Sequence, residues 1–405
     1  MRIIHTADWH LGHSLNGWAR EDEHSLYFRR LADVIEQEEA DVLLVAGDIF
    51  DSSNPSGEVQ RLLYDALASF KRRRPNLITV ISGGNHDPAQ RLEAPMPVLR
   101  ALDVHVVATV QRRGGRIDID RHLVPIPGPD GTPALYVLAI PFLRASDLTG
   151  LNDEGTDPVV DAARRFYAEI TAQAAEIAGD VPIIATSHLH CAGGLESEGA
   201  ERRILIGGAH AVPPSIFPDR LAYVALGHLH GQQTLKGGRV RYSGACFPLS
   251  SSEIRHDHGV TLIELLNGAL THRHISIERP AQMLRLPASG TIALDDLPAA
   301  LGQIAFDDTL PMGLRPLVYL ELAPTDAASV LMADAARCVA ERGLRLGGAR
   351  VQRQERHEGE EIPPPPASLR ETDPETLFVE AFRASAGIEP EARHLDAFRD
   401  IIAGE

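Results

Sequence analysis

The run Val42-Leu43-Leu44-Val45-Ala46 passes directly into Gly47-Asp48, and this junction constrains the whole chain. Five apolar residues between Asp41 and a glycine read as a strand buried on both faces, the pattern of a parallel sheet. In open α/β sheets, chemistry gathers just beyond the carboxyl ends of the strands. Asp48 is expected there, beside a glycine that lets the backbone bend. Its two carboxylate oxygens can touch two metal ions at once.

Four more segments share this layout. Asp8-Trp9-His10 follows a predicted strand over 2–6, and Gly84-Asn85-His86-Asp87 follows one over 77–81. Ser187-His188-Leu189-His190 follows 183–186, and Gly227-His228-Leu229-His230 follows 223–226. In extended backbone, residues i and i+2 point to one side. Asp8 with His10, and His228 with His230, are thus each expected to aim two ligands at one place. Any one of these strings is ordinary: a lone histidine after a strand is usually a hydrogen-bonded turn residue, and Asp beside Gly is common turn chemistry. Five in series point to a metal centre. Carboxylate, imidazole and amide oxygen together suit manganese or iron better than calcium. Two such ions, about 3.5–4 Å apart, activate a water and stabilise a leaving oxygen in phosphodiester hydrolysis.

Helical periodicity fills the spaces between strands. It is expected over 23–38, over 58–73, where Leu62, Leu63, Ala66, Leu67 and Phe70 form one face, and over 158–178. Segments 135–140, 240–243, 260–266 and 271–277 read as further strands, the last three without helices between them. Alternating β and α followed by consecutive strands predicts an α/β sandwich with one antiparallel part. The pattern shifts near 278–287, after which 316–322, 326–342 and 344–351 form a βαβ-sized unit. The expected domains are 1–278, 279–352, a charged and proline-rich linker 353–366, and a tail 367–405. Pro363–Pro366 makes that linker stiff and extended.

Charge and composition exclude several classes. The formal charge is −17, unlike that of a general DNA-coating protein. It is uneven, with thirteen acidic residues against five arginines from Glu355 to the end. Three cysteines without a CxxC argue against a disulfide framework or a zinc ribbon. There is no P-loop sequence, so the chain is not expected to bind ATP that way. A start that runs straight into a strand, with no long apolar span, predicts a cytoplasmic protein without membrane attachment. Lys71-Arg72-Arg73-Arg74 reads as a basic helix end. His13 reads as a solvated loop residue.

The order Asp8-x-His10, Gly47-Asp48, Gly84-Asn85-His86, His188 and Gly227-His228-x-His230 resembles that of the calcineurin-like metallophosphoesterases. The flanks Ala7-Asp8-Trp9-His10-Leu11-Gly12 and Gly47-Asp48-Ile49-Phe50-Asp51 are similar to those of bacterial DNA-repair nuclease subunits related to the eukaryotic Mre/Rad type. The resemblance implies a two-sheet metallophosphoesterase sandwich flanked by helices, a small α+β capping domain that positions DNA, and a helical tail. It implies two divalent metal ions, most often manganese: Asp8, His10 and His230 on one, Asn85, His188 and His228 on the other, and Asp48 between them. It makes His86 the catalytic histidine, with Asp87 a candidate to orient it. Asp51 stands where archaeal and eukaryotic relatives carry a second catalytic histidine, which leaves its role open. His190 competes with His188 by spacing, but the family pattern favours His188. The implied activity is 3′→5′ exonuclease on double-stranded DNA and endonuclease on single strands and hairpins. The implied partners are DNA, a coiled-coil ATPase and a second copy of the chain. A phosphodiesterase or phosphatase for small substrates would use the same ligands, but leaves the second domain and tail unexplained. A non-catalytic scaffold on this fold would be expected to have lost ligands.

The tail carries its own signals. Thr372 and Glu375 have capping-box spacing, with Pro374 in the first turn and Gly387 placed to end the helix. Leu377, Phe378, Ala381 and Phe382 form one stripe, and Leu395, Phe398, Ile401 and Ile402 form another. A helix-loop-helix dock for the ATPase is expected.

Overall fold

The computed structural model describes residues 1–148, 157–196, 211–235, 237–352 and 374–386, and positions 390, 392, 394–395 and 398–399. The linker 353–366 therefore lies outside the described residues, as do Thr372, Gly387, Ile401 and Ile402. Two six-stranded sheets form the body. In the first, β1 (Arg2–Thr6), β2 (Val42–Ala46), β3 (Ile78–Ser82) and β4 (Val104–Val107) run parallel. The second contains β5 (Leu123–Pro127), β6 (Pro133–Ala139), β7 (Ile183–His188), β8 (Leu221–Gly227), β9 (Gln233–Thr234) and β10 (Val240–Tyr242). Its strands β6, β7, β8 and β10 are parallel, with antiparallel β5 and β9 at the edges. The chain then returns to the first sheet, where β11 (Gly259–Leu266) pairs antiparallel with β1 and β12 (Ala269–Ser276) with β11.

The apolar run of β2 is continuous because both of its faces are covered. Val42 and Leu44 join Val137, Ile184 and Ala225 in the layer between the sheets. Leu43 and Val45 join Tyr27, Leu31, Leu63, Leu67 and Phe70 of α1 (Glu21–Gln37) and α2 (Gly57–Arg73). On the outer side of the second sheet, α3 (Pro158–Ala178) buries Phe166, Tyr167 and Ile170. Ser56 caps α2 by accepting the Val59 N–H at 3.3 Å, and Asp157 caps α3 by accepting that of Val160 at 3.2 Å. The basic run forms the last turn of α2, where Lys71 pairs with Asp103 at 2.5 Å and Arg73 with Asp33 at 2.7 Å.

A third sheet has three parallel strands, β13 (Met283–Leu286), β14 (Leu317–Leu322) and β15 (Arg345–Val351). With α4 (Leu297–Gly302) and α5 (Ala328–Glu341) it encloses its own core, including Leu301, Val318, Leu320, Leu331 and Val339. Its first strand falls in the stretch that the sequence presents only as a change of pattern, because four residues are too few for a clear period. Residues Met1–Gln352 form one compact unit and Arg353–Glu405 a second. In the second unit, α6 (Pro374–Ala386) presents Phe378 to Phe398, stacked with ring centroids 4.3 Å apart, and Arg399 pairs with Glu375 at 2.5 Å. Among the described residues no helix is long and apolar enough to cross a membrane.

At Gly227 the two sheets approach each other closely. A Cβ there would lie 1.9 Å from the carbonyl oxygen of Ala46, a backbone atom that cannot move aside. Gly227→Ala is therefore expected to cost at least the about 1–3 kcal/mol usual for overpacking. Gly302→Ala, with nothing within 4 Å of the new Cβ, should stay within about 0.5 kcal/mol. Thermal unfolding of the two variants checks this.

Candidate metal centre

All five strand-end segments meet at one rim. The Asp8 N–H donates to the Gly47 carbonyl at 3.1 Å, and the His10 N–H to that of Asp48 at 3.0 Å. The His86 N–H donates to Asp48 Oδ1 at 2.9 Å, and the His228 N–H to Asp8 Oδ1 at 2.9 Å. Extended alternation is not what gathers them. Asp8, His10, Asp48 and His228 have φ of +51°, +46°, +48° and +102°. Left-handed backbone is uncommon outside glycine and concentrates at functional sites. Asp8 and His10 still converge. His228 and His230 part: His230 joins Asp8 and His10, while His228 Nδ1 lies 3.3 Å from Asn85 Oδ1.

Among the described residues, three groups of side chains bring their ligand atoms within 4.8 Å of one another: Asp8, His10 and His230; Asp8, Asp48 and His188; and His10, Asp48 and His86. Asp48 Oδ2 stands 3.6 Å from His10 Nε2 and 3.3 Å from His188 Nε2, between the two halves. Asn85 Oδ1 lies 2.9 Å from His188 Nε2. His188 occupies the last position of β7, two residues beyond the predicted strand end. His190 stands aside, 3.5 Å from Glu196, with its ring 6.1 Å from that of His228.

Four of the inward-facing rings, those of His188, His86, His10 and His230, are set by a partner on the other side. His188 Nδ1–H donates to the Ala46 carbonyl at 2.9 Å, and His86 Nδ1–H to that of Asp51 at 2.8 Å. His10 Nδ1 faces the Asp51 carboxylate at 3.2 Å, and His230 Nδ1 faces Glu253 at 2.8 Å. Such outer partners fix the tautomer and leave Nε2 as the donor toward a metal. Asp51 thus holds two site histidines, which gives its open position a role. Glu253 belongs to no motif and is absent from the sequence reading; only its burial beside His230 reveals it. Asp87 does not orient His86. It is buried and accepts the N–H groups of Gly84, Phe50 and Ile49 at 2.7, 2.9 and 3.2 Å, tying two motif loops together. His13 is half-buried rather than fully solvated: its Nδ1 is shielded from solvent without a hydrogen bond among the described residues, and burial lowers its pKa to about 3.

The electrostatics fit a cation. Burial raises Asp8 to about 7, partly offset by His188 and His230. Burial acts upward on Asp48 too, but His188, His10 and His86 hold it well below the carboxylate range. His188, which burial would depress, is held up at about 9 by Asp48 and Asp8. A divalent cation bound here would compete with these protons for the same atoms. Among the described residues His10 Nε2 is buried with no hydrogen-bond partner and lies near two carboxylates, an environment that fits a metal-ligating nitrogen.

Residues 1–232 match the family model of the calcineurin-like phosphoesterases. The chain is 54% identical over 386 residues to the SbcD subunit of nuclease SbcCD from Rhodobacter capsulatus, covering 94% of each chain. It is 33% identical to the SbcD subunit from Escherichia coli K12, over 70% of this chain and 71% of that one. The Bacillus subtilis SbcD subunit is also 33% identical, over 66% and 67% respectively. The chain belongs to the calcineurin-like phosphoesterases, and within them to the SbcD family of nuclease subunits.

Cation binding has to expel the protons held by His188 and Asp8. Affinity for a divalent cation is therefore expected to rise with pH through about 7 and to level off above about 9, with protons released on binding. Calorimetric titration in buffers of different ionisation heat counts those protons. An affinity independent of pH would contradict the assignment.

Proposed function

We propose that this chain is the metal-dependent DNA nuclease subunit of an SbcCD-type complex. The carrying observation is the 54% identity over 94% of both chains, which reaches past the phosphoesterase region into the second lobe and tail. Asp8, His10 and His230 would hold one divalent ion and Asn85, His188 and His228 the other, with Asp48 as the ligand common to both. Manganese is the proposed metal. When bound, the ion pair supplies the charge that activates a water and steadies the leaving oxygen. His86, its Nδ1–H on the Asp51 carbonyl, presents Nε2 to the cluster and is placed to protonate the leaving oxygen or stabilise charge on the phosphate.

The proposed activity is 3′→5′ exonuclease on double-stranded DNA and endonuclease on single strands and hairpins, in DNA repair, recombination and replication. The cytoplasmic chain works as a homodimer within a heterotetramer with an SbcC-like ATPase. Residues 1–278 carry the chemistry, 279–352 cap it and position DNA, 353–366 link, and 367–405 dock the ATPase. Digestion of a labelled linear duplex against a chromogenic phosphodiester, with Mn2+ present, separates this from an enzyme for small substrates.

His86→Ala is expected to keep its metal content and lose about 10²–10⁴-fold in turnover. Loss of a metal by elemental analysis would instead make His86 a ligand. Truncation after Ile362 should leave hydrolysis of the chromogenic phosphodiester intact and abolish co-purification with the ATPase. A truncated chain that retains its partner at full strength places the dock elsewhere.

A further inference from the structure

Glu253 is fully buried, and its Oε1 lies 2.8 Å from His230 Nδ1. Its Oε2 accepts the Leu249 N–H at 2.8 Å. The peptide that supplies this N–H is held at its other end, because the Pro248 carbonyl accepts from Arg20 Nη1 at 2.5 Å. Arg20 is 1% exposed and turns Nε and Nη2 onto Glu23 at 3.1 and 2.7 Å. Glu23 also accepts from Arg345 Nη1 at 2.9 Å. Arg345 begins β15 of the second lobe and donates through Nε to the Arg315 carbonyl at 2.8 Å.

An unbroken buried series thus runs from the second lobe to a candidate metal ligand. Its members are charge-assisted hydrogen bonds joined by one rigid peptide plane. Such bonds are short and strong, and removing one partner leaves an uncompensated buried charge. The lobe therefore cannot shift without disturbing Glu23, and Glu23 cannot move without releasing Arg20 from the Pro248–Leu249 peptide. Trp18 Nε1 donates to the Leu346 carbonyl at 2.9 Å and ties the lobe to the same stretch of chain.

We propose that Glu253 is a positioning residue for His230, and that the second lobe sets the affinity of that metal position through Arg345, Glu23 and Arg20. The proposal rests on the reading of Asp8, His10 and His230 as metal ligands. It makes the lobe part of the metal centre as well as a neighbour of the substrate.

The test is calorimetric titration of Mn2+ into the metal-free full chain as wild type, Glu253→Gln, Arg345→Met and Arg337→Ala. Arg337 lies on the exposed face of α5, paired with Asp334 and Glu341 of the same helix, and serves as the lobe control. Glu253→Gln is expected to weaken one of two binding events by about 10–100-fold. Arg345→Met should weaken the same event by about 2–30-fold. The other event and the Arg337→Ala protein should match wild type. The visible spectrum of the Co2+-loaded chain should change in the first two variants and not in the third. If Arg345→Met lowers the unfolding temperature while both binding events stay unchanged, the contact is merely structural and the proposal is overturned. Should that variant not fold, Arg345→Lys is titrated in its place, and an unchanged affinity overturns the proposal equally. Two normal events in wild type and in every variant refute the proposal and leave the ligand reading standing. No binding by wild type refutes the ligand reading beneath it.

Discussion

The structure depends on how closely backbone packs around one carboxylate. A Cβ at Gly84 would lie 2.1 Å from Asp48 Oδ1, and one at Gly47 would lie 2.2 Å from His188 Nδ1. At Gly227 it would meet the Ala46 carbonyl. The glycines of three motifs therefore clear the space in which Asp48 meets ligands from both sheets. Gly47 does so with a φ of +86°, so it also supplies the turn. The two sheets can approach this closely because the layer between them is filled by Val, Ile, Leu and Ala, with few large rings.

Burying charge in this way is costly unless it is paired. The chain meets the cost in layers. Asp8 and Asp48 accept backbone N–H groups, and Asp51, Glu253 and the Ala46 carbonyl hold the histidines. Glu253 shows the balance. Burial pushes it up, but His230 and the Leu249 N–H hold it at about 2, so it stays an acceptor at all working pH values.

Much of this was legible in the sequence, for reasons that also explain what was not. Strands β1 and β2 and helix α3 have their predicted bounds because buried apolar runs and capped helices leave local signals. The gathering of Asp8, His10, Asp48, His86, His188 and His230 followed from strand-end position and motif order. The mechanism of convergence did not: left-handed φ at Asp8, His10 and Asp48 leaves no mark in composition. Nor could spacing foretell Glu253, because its link to His230 is tertiary. Asp87 and His13 escaped the sequence because their surroundings are tertiary: only the fold shows Asp87 buried against three backbone N–H groups and His13 half-buried. In the tail, Phe378 of the first stripe stacks on Phe398 of the second, while Ile401 and Ile402 lie outside the described residues.

The central claim is that one carboxylate joins two metal positions. The most direct measurement is anomalous diffraction at the manganese edge from crystals of the full chain grown with Mn2+. The account predicts two peaks, one among Asp8, His10 and His230 and one among Asn85, His188 and His228, both within coordination distance of Asp48. A single peak, or two peaks of which one does not touch Asp48, would contradict it.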